Sequence, residues 1–148
     1  MRISAKGRYA LASVIYMAEK YDGGEYLTAI SISDKLGISK IYLEQIFSFL
    51  KKGGLVSSIK GSQGGYQLSR MPRHITVLDV LSSVELSLFE TAEESVAEKA
   101  PEIDKAMRLS VFDAIDREIK ETLGKITLED MIADAQKYKE DGGMMFYI

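Results

Sequence analysis

The sequence contains no cysteine and no tryptophan, and it has only two prolines and one histidine, His74. Without cysteine the chain has no disulfide, no thiolate nucleophile and no cysteine-based metal site. A single histidine cannot form a His-rich metal site alone, so we expect neither a metal nor a cofactor in this chain. We expect His74 to be structural or exposed to solvent rather than catalytic.

Long hydrophobic runs are missing too. The apolar stretches are broken within a few residues, which predicts no membrane span. The first residues, MRISAKGRYA, lack the continuous apolar segment of a secretory signal. We therefore expect a cytoplasmic protein with no membrane partner. Apolar residues make up 46% of the 148 residues, which is enough to form a packed core.

The sequence also lacks the usual marks of an enzyme. No nucleophile–base pair stands out, and the acidic pairs do not suggest a cleft in which carboxylates would have shifted pKa values. The glycine-rich stretch GSQGG (61–65) is followed by a predicted strand, whereas a nucleotide-binding loop is followed by a helix that holds the phosphate. We therefore predict that the chain is not an enzyme.

Charge is divided unevenly along the chain. Residues 1–75 contain 11 Lys or Arg and 5 Asp or Glu, whereas residues 76–148 contain 8 and 17. The overall net charge of −3 hides this basic first half. Nucleic acids respond to the local field of a protein, so the basic half is a candidate for binding them.

Three helices are predicted in the basic half. Ser4 can cap a helix that runs to about Lys20, and Thr28 can cap a second helix that ends at Gly37. Ser39 then caps a third helix after a very short turn. Two short helices in this arrangement are typical of a helix-turn-helix, in which the second of the two enters the major groove of DNA.

The third helix is amphipathic. Its predicted buried face consists of Leu43, Ile46, Phe47 and Leu50. Its opposite face presents Lys40, Ile41, Gln45, Ser48 and Lys52, with Tyr42 and Glu44 on the flanks. Gln pairs bidentately with adenine, Glu accepts from the cytosine amino group, and an apolar side chain can touch a thymine methyl. This pattern favours contact with DNA bases.

A hairpin follows the third helix. The segments LVSSIK and GYQLS have the alternating, β-branched character of short strands. Lys60 and Gly61 lie at the predicted tip, where a glycine-rich backbone can approach DNA and the lysine can reach a phosphate or the minor groove. Arg2, Lys6 and Arg8 cluster at the start of the first helix, where cations oppose the helix dipole and a nearby anion is expected.

The second half of the chain begins after Pro72. Thr76 and Asp79 can form a capping box, and an acidic segment from Leu86 to Lys105 follows. A long helix then carries an apolar residue at every fourth position: Ile103, Met107, Val111, Ile115, Ile119 and Leu123. One small domain cannot cover so long an apolar stripe, which favours a symmetric dimer.

These patterns predict a mainly α protein with a winged helix-turn-helix, a small two-stranded β wing and a long dimerisation helix. We assign residues 1–75 to DNA binding, and residues 76–148 to an effector segment and dimerisation helices. We expect Lys6, Arg8, Lys40 and Lys52, together with Arg2, to position the protein on the DNA backbone.

Three stretches resemble the Rrf-two family of bacterial winged-helix regulators: MRISAKGRYAL, the block from ISKIYLEQ to GGYQL, and ITLEDM. The resemblance covers nearly the whole chain. It implies a homodimeric transcription factor that binds partly palindromic operator DNA. It also implies that Ser39, Tyr42, Glu44 and Gln45 face DNA and that Lys60 enters the minor groove.

The resemblance bears on the effector as well. Well-known members of the family hold an iron–sulfur cluster on three cysteines, whereas this chain has Ala92, Ala100 and Ala106 at candidate positions. We favour an iron–sulfur regulator in an apo form, controlling cluster-biogenesis genes, with its ligands replaced; a cysteine-bearing parent would then hold the cluster. The main alternative is a naturally cluster-free repressor of cysteine and sulfur metabolism. A third possibility is a different effector.

A function of another class also stays open. The winged helix could serve as a scaffold for protein interaction, with the acidic half contacting a metabolic enzyme.

Overall fold

The computed structural model describes residues 3–23, 25–61, 64–90 and 96–145. Helices α1 (Ala5–Glu19), α2 (Ala29–Leu36) and α3 (Lys40–Lys52) come first, and the strands β1 (Val56–Ile59) and β2 (Gly65–Leu68) follow them. After a short 3-10 turn (Pro72–His74) come α4 (Val77–Val84), α5 (Pro101–Met107), α6 (Asp113–Gly124) and α7 (Leu128–Met145). This is the predicted mainly α architecture with one small hairpin.

Local capping sets where the first three helices begin. The side-chain oxygens of Ser4, Thr28 and Ser39 each accept a hydrogen bond from the backbone N–H three residues on, at 3.0–3.2 Å. Each bond satisfies an amide that the helix leaves unpaired at its start. Gly37 ends α2 in the left-handed conformation, with φ of 69°. These boundaries agree with those predicted from the sequence.

The hydrophobic core joins the two halves of the chain. Val14 of α1, Ile32 of α2, and Leu43 and Phe47 of α3 are fully buried. The same core includes residues on the far side of the predicted division at residue 75, namely Val80, Val84 and Leu128. The division therefore stays a prediction about function, because the packing runs across it.

Helices α5 and α6 form one helical rod. A π-helical turn (Arg108–Phe112) joins them, so helical backbone extends without a break from Pro101 to Gly124. On an α-helix a residue lies about 40° further round the axis than the residue four positions before it, so a four-residue repeat drifts around the helix. A π turn contains more residues than an α-helical turn, so residues four positions apart rotate less around the axis there. The π turn therefore reduces the drift in the middle of the predicted apolar stripe.

The last helix begins with a capping box. Thr127 accepts a hydrogen bond from the Asp130 amide, and the Asp130 carboxylate accepts one from the Thr127 amide. Thr76 and Asp79 form the same box at the start of α4. The two helix starts are joined by backbone hydrogen bonds, since Val77 donates to Ile126 at 2.8 Å. The Leu128 amide donates to the Ile75 carbonyl at 2.9 Å, which ties the start of α7 to the last residue of the first half.

Candidate nucleic-acid interface

The exposed face of α3 lies opposite its four buried apolar residues. Its centre presents Ile41, Gln45, Ser48 and Lys52, all of them exposed. The Ser48 hydroxyl donates to the backbone carbonyl of Gln45 at 2.6 Å, so its only hydrogen is used within the helix. The Gln45 amide remains exposed and offers both a donor and an acceptor.

Helix α1 supports one flank of this face. The rings of Tyr9 and Tyr42 meet edge to face, with 5.7 Å between their centroids. The Lys6 ammonium lies 4.4 Å from the centre of the Phe49 ring, which places a cation next to α3. Arg8 is exposed on the same helix. Arg2 lies outside the described residues.

The other flank of α3 borders a cleft of about 450 Å³ beside the hairpin. Lys40, Glu44, Lys60 and Gly61 all line it. Lys40 and Glu44 form an ion pair at 3.7 Å, and both side chains are about half exposed. An exposed pair of this kind contributes at most about 1 kcal/mol, so either group can exchange its partner for one on DNA.

The hairpin is held against the helices by its second strand. The Leu27 amide donates to the Tyr66 carbonyl and the Tyr66 amide donates to the Leu27 carbonyl, both at 2.8 Å. The Tyr66 ring also stacks on Phe47, with the ring centroids 4.3 Å apart. A Cβ atom on Gly65 would lie 2.2 Å from the Leu27 carbonyl oxygen, so only glycine permits this close approach.

Tyr66 also has an altered acidity. Burial raises the pKa of its hydroxyl above the usual value, and the nearby Glu44 carboxylate raises that pKa further. Tyr66 therefore remains neutral at the edge of the cleft. On the first strand, the Lys51 ammonium donates to the Ser58 hydroxyl at 2.7 Å, which fixes the end of α3 to the hairpin.

The tip of the hairpin carries Lys60, which is exposed, and Gly61, whose φ is 122°. Residues 62 and 63 lie outside the described part of the chain. The structure thus brings the predicted hairpin lysine to the cleft that borders α3.

An anion lies at the start of α1, as the basic residues there predicted, but it is a carboxylate of the protein itself. The Glu85 carboxylate accepts hydrogen bonds from the Ser4 amide, at 2.9 Å, and from the Ser4 hydroxyl. The Glu85 carboxylate, directly after α4, therefore balances the positive end of the α1 dipole. Glu85 explains the cluster in part, and the exposed Arg8 remains available to a phosphate.

The predicted cluster-ligand positions carry no donor atoms. Ala100 immediately precedes α5, Ala106 is exposed on it, and Ala92 lies outside the described residues. No group of three or more histidine, cysteine, aspartate or glutamate side chains in the described ranges could hold a metal ion. The chain contains no cysteine at all, so its residues do not fit a cluster bound by thiolates.

The apolar stripe of the long helix lies on the surface. Ile103, Val111 and Ile115 are 46–53% exposed, and Met107 and Ile119 are half-buried. A shallow groove between 110 and 119 is lined by Val111, Ile115 and Ile119. Such a surface is costly in water for a single chain.

Three contacts that hold the hairpin and the start of α1 beside α3 were not expected from the sequence. They are the Leu27–Tyr66 pairing, the Lys51–Ser58 hydrogen bond and the Ser4–Glu85 contact. The only local signal for the first was Gly65 within a strand, which often marks a close backbone approach. The third joins residues 81 positions apart and has no local signal.

Comparison with known proteins decides the family. The family model named Rrf2 and described as an iron-dependent transcriptional regulator matches residues 3–134. The chain belongs to the Rrf2 family. The prediction from its sequence motifs is thereby confirmed. It is a DNA-binding transcriptional regulator of this family, whose members are regulators rather than enzymes, as predicted.

Individual relatives of this Rrf2 chain are known. It is 36% identical over 136 residues to the HTH-type transcriptional regulator IscR of Xenorhabdus nematophila, covering 92% of this chain and 82% of that protein. It is 37% identical over 151 residues to the HTH-type transcriptional regulator CymR of Bacillus subtilis, covering both chains completely.

Solved structures give the same result. The fold matches that of CymR (YrzC), the global cysteine regulator of B. subtilis, with a TM-score of 0.69, 35% identity, and coverage of 90% of this chain and 97% of that one. It matches T. potens IscR with a TM-score of 0.70, 36% identity, and coverage of 93% and 90%. In the described part of this Rrf2 chain, no helix is long and apolar enough to cross a membrane.

Proposed function

We propose that this chain is a cytoplasmic, homodimeric regulator that reads a specific operator through the exposed face of α3. The observation that carries the proposal is the placement of Gln45 at the centre of that face, with cations around it from three separate elements. These cations are Lys6 and Arg8 of α1, Lys40 and Lys52 of α3, and Lys60 of the hairpin.

The surrounding cations and Gln45 have different roles in binding. The exposed lysines and arginines neutralise phosphates and release counterions, which gives affinity for any sequence and makes it depend on salt. Gln45 can form a bidentate pair with adenine in the major groove, which gives preference for one base. The position of α3 on the DNA and the polarity around Gln45 are set by Ser39, Tyr42 and Glu44. The hairpin reaches the adjacent minor groove through Lys60 and Gly61.

Dimerisation supplies the second half-site. The apolar stripe formed by Ile103, Met107, Val111, Ile115 and Ile119 is buried if two long helices cross along it. A two-fold dimer places two copies of α3 on successive major grooves, about 34 Å apart. The operator is therefore expected to be partly palindromic.

Substitutions of single side chains test the proposed roles. An operator is first selected from random duplex DNA by the purified protein. Gln45→Ala is expected to relax the preference at one base position at a cost of about 1–3 kcal/mol. Lys52→Ala is expected to weaken binding to all sequences and to reduce the salt slope by about 1. Lys137→Ala, in the acidic half, is the matched control and should change neither.

The base-reading role of Gln45 is wrong if Gln45→Ala loses equal affinity for the operator and for random duplex. The DNA-binding proposal as a whole is wrong if no sequence is enriched over the starting library.

The regulated genes and the signal belong to a finer proposal. We infer that the chain controls cysteine and sulfur metabolism without a cluster of its own. The match to CymR over the full length of both proteins supports this, as does the absence of cysteine. The similar identity to IscR supports the alternative, an apo form of an iron–sulfur regulator with alanine at 92, 100 and 106.

One variant separates these two alternatives. Ala92→Cys, Ala100→Cys and Ala106→Cys are combined, and the protein is reconstituted anaerobically with iron and sulfide. A visible cluster chromophore would favour replaced ligands. A colourless protein with unchanged operator binding would favour the naturally cluster-free regulator.

A scaffold that contacts a metabolic enzyme is the proposal from another class, and the excess of acidic residues beyond residue 75 favours it. Salt dependence separates it from DNA binding, because counterion release demands a steep slope.

A further inference from the structure

Ile41 is the most exposed of the large apolar side chains in the described part of the chain. It is 73% exposed, compared with 69% for Tyr138 and 66% for Leu86. Isoleucine is β-branched and is a poorer helix former than alanine, glutamate or lysine, so it gives α3 no intrinsic advantage at an exposed position. The folded chain alone therefore supplies no use for this side chain.

Single exposed apolar residues are common on protein surfaces, so the position of Ile41 has to carry the argument. Ile41 lies one helical turn before Gln45, on the line of α3 farthest from the buried face. Further along this line come the Ser48 hydroxyl, which is bonded to the helix backbone, and the Lys52 ammonium. Ile41 is the one member of this line that presents methyl groups.

The side chains one turn beyond Ile41 on α3, Glu44 and Gln45, are polar, which favours a narrow apolar contact over a broad one. The chain neighbour of Ile41, Lys40, is charged and paired with Glu44. The exposed Ile30 and Ile59 line the cleft beside the hairpin, and Ile41 is not among the residues that line it. A protein partner would need a continuous apolar patch, whereas a single methyl group needs only one side chain.

We propose that Ile41 is a specificity-determining residue that packs against the C5 methyl group of a thymine in the operator. This inference rests on the proposed function, because it requires α3 to lie in the major groove. That groove exposes the thymine methyl, which apolar side chains recognise by contact. Four residues of helix advance about 6 Å, so the thymine lies within about two base pairs of the adenine that Gln45 reads.

Deoxyuridine provides a test that changes one methyl group. It pairs as thymine does and lacks only the C5 methyl. Each thymine of the selected operator is replaced in turn, and affinity is measured for the unsubstituted protein, for Ile41→Ala and for Ile41→Val. Leu86→Ala, which removes an exposed apolar side chain outside the interface, is the matched control.

In each half of the operator, replacement of one particular thymine should weaken binding of the unsubstituted protein. Each such single replacement should cost about fourfold in affinity, the effect of burying one methyl-sized group. Ile41→Ala should bind the thymine and deoxyuridine operators equally. Ile41→Val and Leu86→Ala should retain the discrimination.

The inference is overturned if an operator is selected but no deoxyuridine changes the affinity by more than about twofold. It is also overturned if Ile41→Ala discriminates as the unsubstituted protein does. Failure to select any operator is a different result and would overturn the proposed function itself.

Discussion

Replacing Gly65 by alanine should release the hairpin from the helices. The new Cβ would lie 2.2 Å from the Leu27 carbonyl oxygen, which is backbone and cannot rotate away. The two hydrogen bonds between Leu27 and Tyr66 contribute about 1 kcal/mol each. The stacking of Tyr66 on Phe47 contributes about 0.5–1.5 kcal/mol. The expected loss in the free energy of unfolding is therefore about 2.5–3.5 kcal/mol.

Urea unfolding measured by circular dichroism gives this loss directly, provided that the m-value is unchanged. Operator binding by the same variant should show a salt slope smaller by about 1, because Lys60 is displaced with the hairpin. Gly142→Ala is the control: its Cβ has no atom within 4 Å, and the helix α7 should be unchanged or stabilised by up to about 1 kcal/mol. A free energy for Gly65→Ala within about 0.5 kcal/mol of the unsubstituted protein would refute the reasoning.

Three further predictions concern other parts of the molecule. Because the pKa of Tyr66 is raised in the folded state, its contribution to stability is complete below pH 10, the ordinary tyrosine value. That contribution is lost as the pH rises through the higher folded value. In urea unfolding at several alkaline pH values, the free energy of unfolding should therefore decline less for Tyr66→Phe than for the unsubstituted protein. Ile115→Glu should shift the dimer toward monomer in sedimentation velocity, whereas Tyr138→Glu, at a more exposed site on α7, should not; equal dissociation by both would rule out the stripe as the interface. Glu85→Ala should lower the free energy of unfolding by about 1–2 kcal/mol, because the Ser4 amide loses its charged acceptor; an unchanged urea midpoint would show that this contact is not stabilising.

The helix boundaries could be predicted because their causes are local. Ser4, Thr28 and Ser39 lie next to the amides that they cap, and Gly37 alone adopts the conformation that ends α2. Such signals span three or four residues and are visible in the sequence. The amphipathic pattern of α3 likewise identified its buried face, since a helix repeats every 3.6 residues.

Other features depend on residues that are distant in the sequence. The pairing of Leu27 with Tyr66 spans 39 positions, and the contact of Ser4 with Glu85 spans 81; neither leaves a periodic pattern. The π turn from Arg108 to Phe112 has no compositional signature either. The basic residues of the site were identifiable, whereas the contacts that hold the hairpin and the start of α1 in place required the fold.

The same division applies to the exposed face of α3. The sequence identified Gln45 and Ile41 as exposed neighbours on one helix, and the fold added the cations that surround them. Which base each side chain contacts depends on the angle of α3 in the groove, which is a property of the complex.

Salt titration of the selected operator and of a random duplex of equal length tests the central claim most directly. If α3 reads bases while the surrounding cations bind phosphates, both affinities fall steeply between about 50 and 200 mM salt. The operator should remain at least about 10³-fold tighter throughout. Equal affinity for the two duplexes, or binding that does not respond to salt, would contradict the account.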